Sequence, residues 1–224
     1  MGACYNFCMN YSTILLAAGR GSRTNLDYNK VFYHLDTDRT VLDASLALFL
    51  DDEECRQIVL VCAPYELDYV QSNYSKDPRI CFVAGGDTRQ QSVCNGLDAV
   101  KEDYVFIHDA ARPFLKPYSI YELKKTLEIE DACLLMVPSV DTVKLVEGGY
   151  VAQTLCRDQV YRAQTPQCFK TSLIQKCHEK AKNAGKLATD DAQLVEWYGK
   201  IPVRVVYGDE ENIKITLPSD LIHD

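Results

Sequence analysis

A run of small residues that ends in fixed positive charge, Leu15-Leu16-Ala17-Ala18-Gly19-Arg20-Gly21-Ser22-Arg23, is followed seven residues later by Lys30. Small side chains let backbone N–H groups come close to a phosphate, and Arg and Lys neutralise it. That is the chemistry of a nucleoside triphosphate site, and the spacing decides which kind. A Walker P-loop requires Gly-x-x-x-x-Gly-Lys-Ser/Thr, but here Gly185-Lys186 precedes Leu187 and Gly199-Lys200 precedes Ile201. A dinucleotide fingerprint requires Gly-x-Gly-x-x-Gly; counted from Gly19 and Gly21, the third position is Thr24. Taken alone, the run also reads as an ordinary strand-to-helix turn.

Two further strand ends combine small residues with charge. In Gly85-Gly86-Asp87-Thr88-Arg89, with Ser92 following, Asp87 or Thr88 suits a helix N-cap. The same residues suit a ligand site, with the glycines leaving room for a base or ribose and Arg89 and Ser92 facing it. In Val105-Phe106-Ile107-His108-Asp109-Ala110-Ala111-Arg112-Pro113 a buried strand ends in an acid, two alanines and a guanidinium. Asp109 and Arg112 read either as a local ion pair or as part of a site. Toward the C-terminus, compact polar loops are expected at Asp141-Thr142, Arg157, Gln164-Thr165-Pro166-Gln167, Thr189-Asp190-Asp191 and Asn212-Ile213-Lys214-Ile215-Thr216. Each has a plain reading too: Thr189 as an N-cap, Lys214 as a solvated strand residue, Arg157 as a surface charge. His34, His108, His178 and His223 share no metal-ligand spacing, so no protein metal ligands are assigned.

Positioning these loops requires a sheet. Residues 11–16, 57–63, 80–84, 104–108 and 132–138 read as strands, and 41–50, 65–74, 89–100 and 119–127 carry helical spacing. This alternation predicts an α/β fold, a Rossmann-like, mostly parallel sheet flanked by helices, with ligands bound beyond the carboxyl ends of the strands. The pattern breaks after Pro138, where Thr- and Val-rich pieces flank Glu147-Gly148-Gly149-Tyr150, a hairpin signal. An extended hairpin that cannot bury both faces alone packs on a partner subunit. Helices at 172–184 and 190–197 and a strand at 203–207 complete the order.

At 224 residues the chain can bury one full core, and 47% apolar with 25% charged residues describe a globular protein. No apolar run approaches the ~20 residues of a membrane span. The formal charge of −8 argues against a nucleic-acid surface. The ten cysteines include no Cys-x-x-Cys pair, and Cys62, Cys81 and Cys133 lie in apolar runs, so reduced thiols and a cytoplasmic location are expected. The start Met1-Gly2-Ala3-Cys4 resembles an acylation signal, but Asn6 stands where Ser or Thr is needed. Residues 1–9 read as an irregular leader containing Cys4 and Cys8, with Met9 as an alternative start, and 10–224 as a single domain with a hairpin arm at about 140–157.

In this order, the motifs resemble the cytidylyltransferases of the non-mevalonate isoprenoid pathway, nucleotidyltransferases that couple CTP to 2-C-methyl-D-erythritol 4-phosphate. The resemblance runs from about Ser12 to Asp220 and includes Asn29-Lys30, Gly-Gly-Asp-Thr-Arg-Gln-Gln-Ser, His-Asp-Ala-Ala-Arg-Pro, Gln-Thr-Pro-Gln, Thr-Asp-Asp-Ala and Asn-Ile-Lys-Ile-Thr. It implies that Ala17, Ala18, Gly19 and Gly21 lie along the nucleotide, with Gly86, Asp87 and Ser92 reading cytosine and ribose. It implies that Arg23 and Lys30 hold the α-phosphate and the departing pyrophosphate, and that Arg157 and Lys214 orient the erythritol phosphate. Asp109, Arg112, Thr142, Thr165 and Thr189 would grip that substrate. The resemblance further implies Mg²⁺ carried mainly by the CTP phosphates and a homodimer joined through the hairpin arm. The chain departs from the family pattern in stopping at Asp224 without a longer C-terminal helix, in carrying Thr24 for Met, and in carrying Asn29 for a Pro that would stiffen the Lys30 loop. The nearest alternative is a ribitol 5-phosphate cytidylyltransferase; Ala110-Ala111, where relatives acting on ribitol phosphate tend to carry Ser-Val, favours the erythritol substrate. The missing third glycine disfavours a nicotinamide oxidoreductase, and two phosphate clamps disfavour a mere nucleotide binder.

Overall fold

A computed structural model describes residues 9–19, 28–216 and 220. Cys4 and Cys8 of the expected leader lie outside these residues, as do Gly21, Arg23 and Thr24. Strands and helices alternate as β1 (Tyr11–Leu16), α1 (Val41–Leu50), β2 (Cys55–Cys62), α2 (Leu67–Tyr74), β3 (Ile80–Ala84), α3 (Arg89–Leu97), β4 (Tyr104–Asp109), α4 (Pro117–Leu127) and β5 (Ala132–Pro138). A hairpin of β6 (Lys144–Glu147) and β7 (Tyr150–Thr154) follows, then β8 (Tyr161–Lys170), α5 (Thr171–Asn183), α6 (Asp191–Tyr198) and β9 (Arg204–Tyr207).

Among the described residues seven strands form one sheet in the order β3-β2-β1-β4-β8-β5-β9. All its pairings are parallel except those of β8, which runs antiparallel to both β4 and β5. Successive residues of a strand face opposite sides, and the core divides accordingly. Leu15, Leu60 and Phe106 pack with α1 and α4 on one face, while Ile14, Val59 and Val105 pack with α3, α5 and α6 on the other. The chain winds outward from β1 to β3 and then returns to β4 on the opposite side of β1. The topological switch point of the sheet therefore lies between β1 and β4, where open α/β sheets bind ligands.

Local chemistry sets several boundaries. Thr40 and Asp43 form a reciprocal capping box at the start of α1, and Thr88, not Asp87, caps α3 by accepting from the Gln91 N–H at 3.0 Å. Asp190 rather than Thr189 caps α6. The expected helix at 65–74 is divided into a 3₁₀ turn, Pro64–Glu66, and α2. The expected loop at Gln164–Gln167 is the middle of β8, a buried strand with the Thr165-Pro166 peptide cis. Its polar residues are paired within the protein: Gln164 Nε2 donates to the Asp209 carbonyl at 2.7 Å and Gln167 Nε2 to Asp190 Oδ2 at 2.8 Å. The hairpin turns through Gly148 and Gly149, whose φ of 56° and 86° suits residues without a side chain. Every residue of β6 and β7 is exposed. The eight described cysteines are free, and no helix among the described residues is long and apolar enough to cross a membrane.

Candidate active site

The carboxyl ends of β1, β3 and β4 open onto a cavity of about 290 Å³. Ala18 and Gly19 line it from the end of β1, Gly86, Asp87, Arg89 and Ser92 from the β3–α3 junction, and Asp109 and Ala111 from the end of β4. Lys30 enters from the turn beyond β1, and Lys214 and Thr216 from the C-terminal segment. The parallel register sets Leu16 beside Asp109, and the Ala110 N–H donates to the Leu16 carbonyl at 3.0 Å, so the first and third charged loops are fixed together. Sequence reasoning expected Gly85 and Gly86 to make room for a ligand. Only Gly86 lines the cavity. A Cβ on Gly85 would stand 2.5 Å from the Ala18 Cβ and 3.1 Å from Ser92 Oγ, so this glycine lets the β1 and β3 loops touch.

Lys30 opens a 3₁₀ turn, Lys30–Phe32, and is largely buried. Asn29 caps this turn through its side chain, so the Lys30 loop, expected to be loose without a proline, is held by hydrogen bonds. The C-terminal segment is pinned with similar economy. Arg112 Nη1 donates to the Asn212 carbonyl at 2.7 Å, the Ile215 N–H donates to the Ala111 carbonyl at 2.8 Å, and Asn212 Nδ2 donates to the Thr165 carbonyl at 3.0 Å. Lys214 is thereby carried across the end of β4, where its Nζ lies 2.7 Å from Asp109 Oδ2.

Charge in the cavity is organised around Asp109. Arg89 Nε reaches Asp109 Oδ1 at 3.3 Å and Arg89 Nη1 reaches Asp191 Oδ2 at 2.7 Å; His178 Nε2 sits 3.3 Å from Asp191 Oδ1. Burial favours the neutral form of Asp109, but Arg89 and Lys214 outweigh it and hold the carboxyl well below the usual range. Burial likewise opposes ionisation of Asp191, and Arg89 outweighs it. Arg89 is raised above the ordinary guanidinium value despite burial, because two carboxylates face it. Asp109 is therefore a fixed anion that orients two cations. The local Asp109–Arg112 ion pair that the sequence allowed gives way to these longer-range pairs; Arg112 is half-buried, does not line the cavity and secures the Asn212 segment instead.

The remaining expected residues fall into two groups. Ala17 and Thr165 are buried beneath the site, Thr165 Oγ1 accepting from the Asp109 N–H at 3.1 Å and meeting His108 Nδ1 at 3.0 Å. Thr142, Arg157 and Thr189 are exposed and do not line the cavity, and Arg157 Nη2 donates to Thr142 Oγ1 at 3.2 Å beside the hairpin. Asp191, Asn29 and Thr216 were not singled out as site residues from sequence. Asp191 belongs to the acidic pair Asp190-Asp191, but nothing in that pair shows that its partner is Arg89, 102 positions away. Among the described residues no group of three or more His, Cys, Asp or Glu side chains is arranged to hold a metal ion. Asp109, the buried carboxylate of the cavity, is already engaged by two cations. That donor set suits an ion that enters on phosphate oxygens rather than one caged by the protein.

The chain is similar to known proteins along nearly its whole length. The sequence profile described as IspD: 2-C-methyl-D-erythritol 4-phosphate cytidylyltransferase matches residues 11–224. A 2-C-methyl-D-erythritol 4-phosphate cytidylyltransferase of Geobacillus kaustophilus is 43% identical over 218 residues, covering 96% of this chain and 95% of the relative. The crystal structure of 4-diphosphocytidyl-2C-methyl-D-erythritol synthase from Anaerococcus prevotii superposes with a TM-score of 0.85 at 32% identity, covering 96% of this chain and 93% of that one. That of 2-C-methyl-D-erythritol 4-phosphate cytidylyltransferase from Francisella tularensis gives 0.80 at 34% identity, with 95% and 96% covered. With its profile matched over nearly the whole chain and its cavity at the switch point of the shared fold, this protein belongs to the 2-C-methyl-D-erythritol 4-phosphate cytidylyltransferase family.

Proposed function

We propose that the cavity transfers CMP from CTP to 2-C-methyl-D-erythritol 4-phosphate, giving 4-diphosphocytidyl-2-C-methyl-D-erythritol and pyrophosphate. The observation that carries this reading is the convergence of Ala18, Gly19, Lys30, Gly86, Asp87 and Ser92 with Asp109 and Lys214 at one sheet edge. Small residues at the end of β1 let the triphosphate approach the backbone, and Gly86, Asp87 and Ser92 receive the cytosine and ribose. Asp109 with Lys214 and Arg89 forms the side that receives the second substrate, and Thr165 and Arg112 support it from beneath.

The acceptor is a phosphate monoester and already an anionic nucleophile, so no general base is required. One of its oxygens forms a bond to the α-phosphorus, the bond from that phosphorus to the β-phosphate oxygen breaks, and pyrophosphate leaves with the electron pair. The obstacle is repulsion between two anions, and the protein's contribution is positioning and charge neutralisation. Lys30, together with Arg23 outside the described residues, neutralises the α-phosphate and the leaving group. Mg²⁺, held mainly by the CTP phosphates, supplies further charge neutralisation when bound. Asp109 takes no proton in this scheme, because Arg89 and Lys214 hold its carboxyl well below the usual range.

The fully exposed β6–β7 hairpin buries neither face within its own chain, which supports a homodimer built through it. Arg157 and Thr142 stand beside that arm and serve the neighbouring site, where Arg157 of the partner subunit orients the acceptor phosphate; Thr189 contributes from the start of α6. Free thiols support a cytoplasmic enzyme. Product analysis tests the reaction: CTP, the acceptor and Mg²⁺ should yield, by phosphorus NMR, a diphosphate esterified once at each phosphorus, with one pyrophosphate per CTP. Hydrolysis of CTP without that product would overturn the proposal.

A further inference from the structure

Asn29 joins three segments of the site. Its backbone carbonyl accepts from the Phe32 N–H at 3.0 Å and its Oδ1 from the Val31 N–H at 3.3 Å, which closes the Lys30 turn. Its Nδ2 donates to the Ala17 carbonyl at 2.7 Å and to Glu66 Oε2 at 3.0 Å. Ala17 belongs to the segment that ends β1, and Glu66 closes the 3₁₀ turn that follows β2. A carboxamide offers two N–H donors and one carbonyl acceptor, and Asn29 uses all three while only 4% exposed. The link therefore spans 12 positions to Ala17 and 37 to Glu66, with Lys30 immediately adjacent.

We propose that Asn29 is a positioning residue for CMP transfer, fixing Lys30 against the Ala17 segment with Glu66 as the brace. This rests on the reading of the cavity as the CMP-transfer site. Electrostatic stabilisation is strong when the charge is already in place as the reaction proceeds. Lys30 sits on a one-turn element that has little stability of its own, and the Asn29 side chain ties that element to the two neighbouring strand ends. Closing the turn is separable from tying it to the strand ends: Asn29→Ser keeps a side-chain oxygen able to cap the turn and lacks the two amide donors.

Steady-state kinetics of Asn29→Ala, Asn29→Ser and Glu66→Ala, each with Lys30 present and with Lys30→Ala, test the proposal, with thermal melts reporting folded enzyme. Both Asn29 variants should lower kcat at least about tenfold, and Glu66→Ala about threefold, as expected when a charged group is displaced by a fraction of an ångström. In the Lys30→Ala background the same substitutions should change kcat by no more than about twofold, because residues acting as a unit are not additive. Wild-type turnover in Asn29→Ser, or equal losses with and without Lys30, would overturn the positioning role. Should the Asn29 variants fail to fold, Glu66→Ala decides, and an unchanged kcat there overturns it. Wild-type enzyme that transfers no CMP overturns the underlying reading as well, whereas active wild type with indifferent variants overturns the role of Asn29 alone.

Discussion

Lys30 and Asp109 illustrate two different uses of a buried charge. In the proposed reaction Lys30 faces the phosphates and its contribution grows as charge shifts onto the leaving group, so it should act on turnover more than on binding. Lys30→Ala should lower kcat at least about a hundredfold in a pyrophosphate-release assay, the scale of a lost electrostatic donor; near-normal turnover would remove it from the reaction. Asp109 works indirectly by holding Arg89 and Lys214, and Asp191 anchors Arg89 from behind. Asp191→Asn preserves shape but leaves the half-buried Arg89 guanidinium short of one charge. Denaturant unfolding should show a loss of about 3 kcal/mol, as for breaking a buried ion pair. An unchanged midpoint would mean that the Arg89–Asp191 pair contributes little.

At the scale of elements, the parallel strands were legible because each is an apolar run bounded by turn chemistry, and β1, β3 and β5 begin and end where periodicity puts them. The charged loops at their ends were legible for the same reason. β8 was not. Its core residues Gln164, Thr165 and Gln167 are polar, and their partners Asp209, Asn212 and Asp190 come from distant parts of the chain. Nor could sequence show that Asn29 bonds to Glu66 or Asp191 to Arg89, since each link depends on tertiary approach. The hairpin was legible through Gly148-Gly149, and its exposure is the structural reason to look for a partner subunit. Mixed dimers test whether the arm completes the neighbouring site. Lys30→Ala and Arg157→Ala homodimers should both be impaired, while randomly reassorted subunits should regain about a quarter of wild-type activity, because half the dimers then hold one intact site. No recovery on reassortment would place Arg157 in its own chain's site.

At the scale of the molecule, the site is tied to folding through His108. Its ring is fully buried, with Nδ1 facing Thr165 Oγ1 and Nε2 3.2 Å from the Arg112 carbonyl. The carbonyl can only accept, so Nε2 carries the proton, and the Thr165 hydroxyl is free to donate to a bare Nδ1. Burial pushes its pKa down from 6.5 to about 4, with Asp109 opposing. Between those values the unfolded chain binds a proton that the folded chain refuses, so stability must fall as pH falls through this window. The loss by pH 4 should be on the order of 3 kcal/mol, and Asp109 should add a further loss of the same sign at lower pH. Urea unfolding across pH 7.5 to 4 checks this, and His108→Gln should flatten the slope; a wild-type curve flat across the window would contradict it.

The most direct test of the central claim is pyrophosphate release from CTP with Mg²⁺, offering 2-C-methyl-D-erythritol 4-phosphate and ribitol 5-phosphate in parallel. Release with the erythritol phosphate and none with ribitol phosphate is the predicted result. Release with ribitol phosphate alone would leave the fold and the CTP-binding loops standing and would contradict the assigned acceptor.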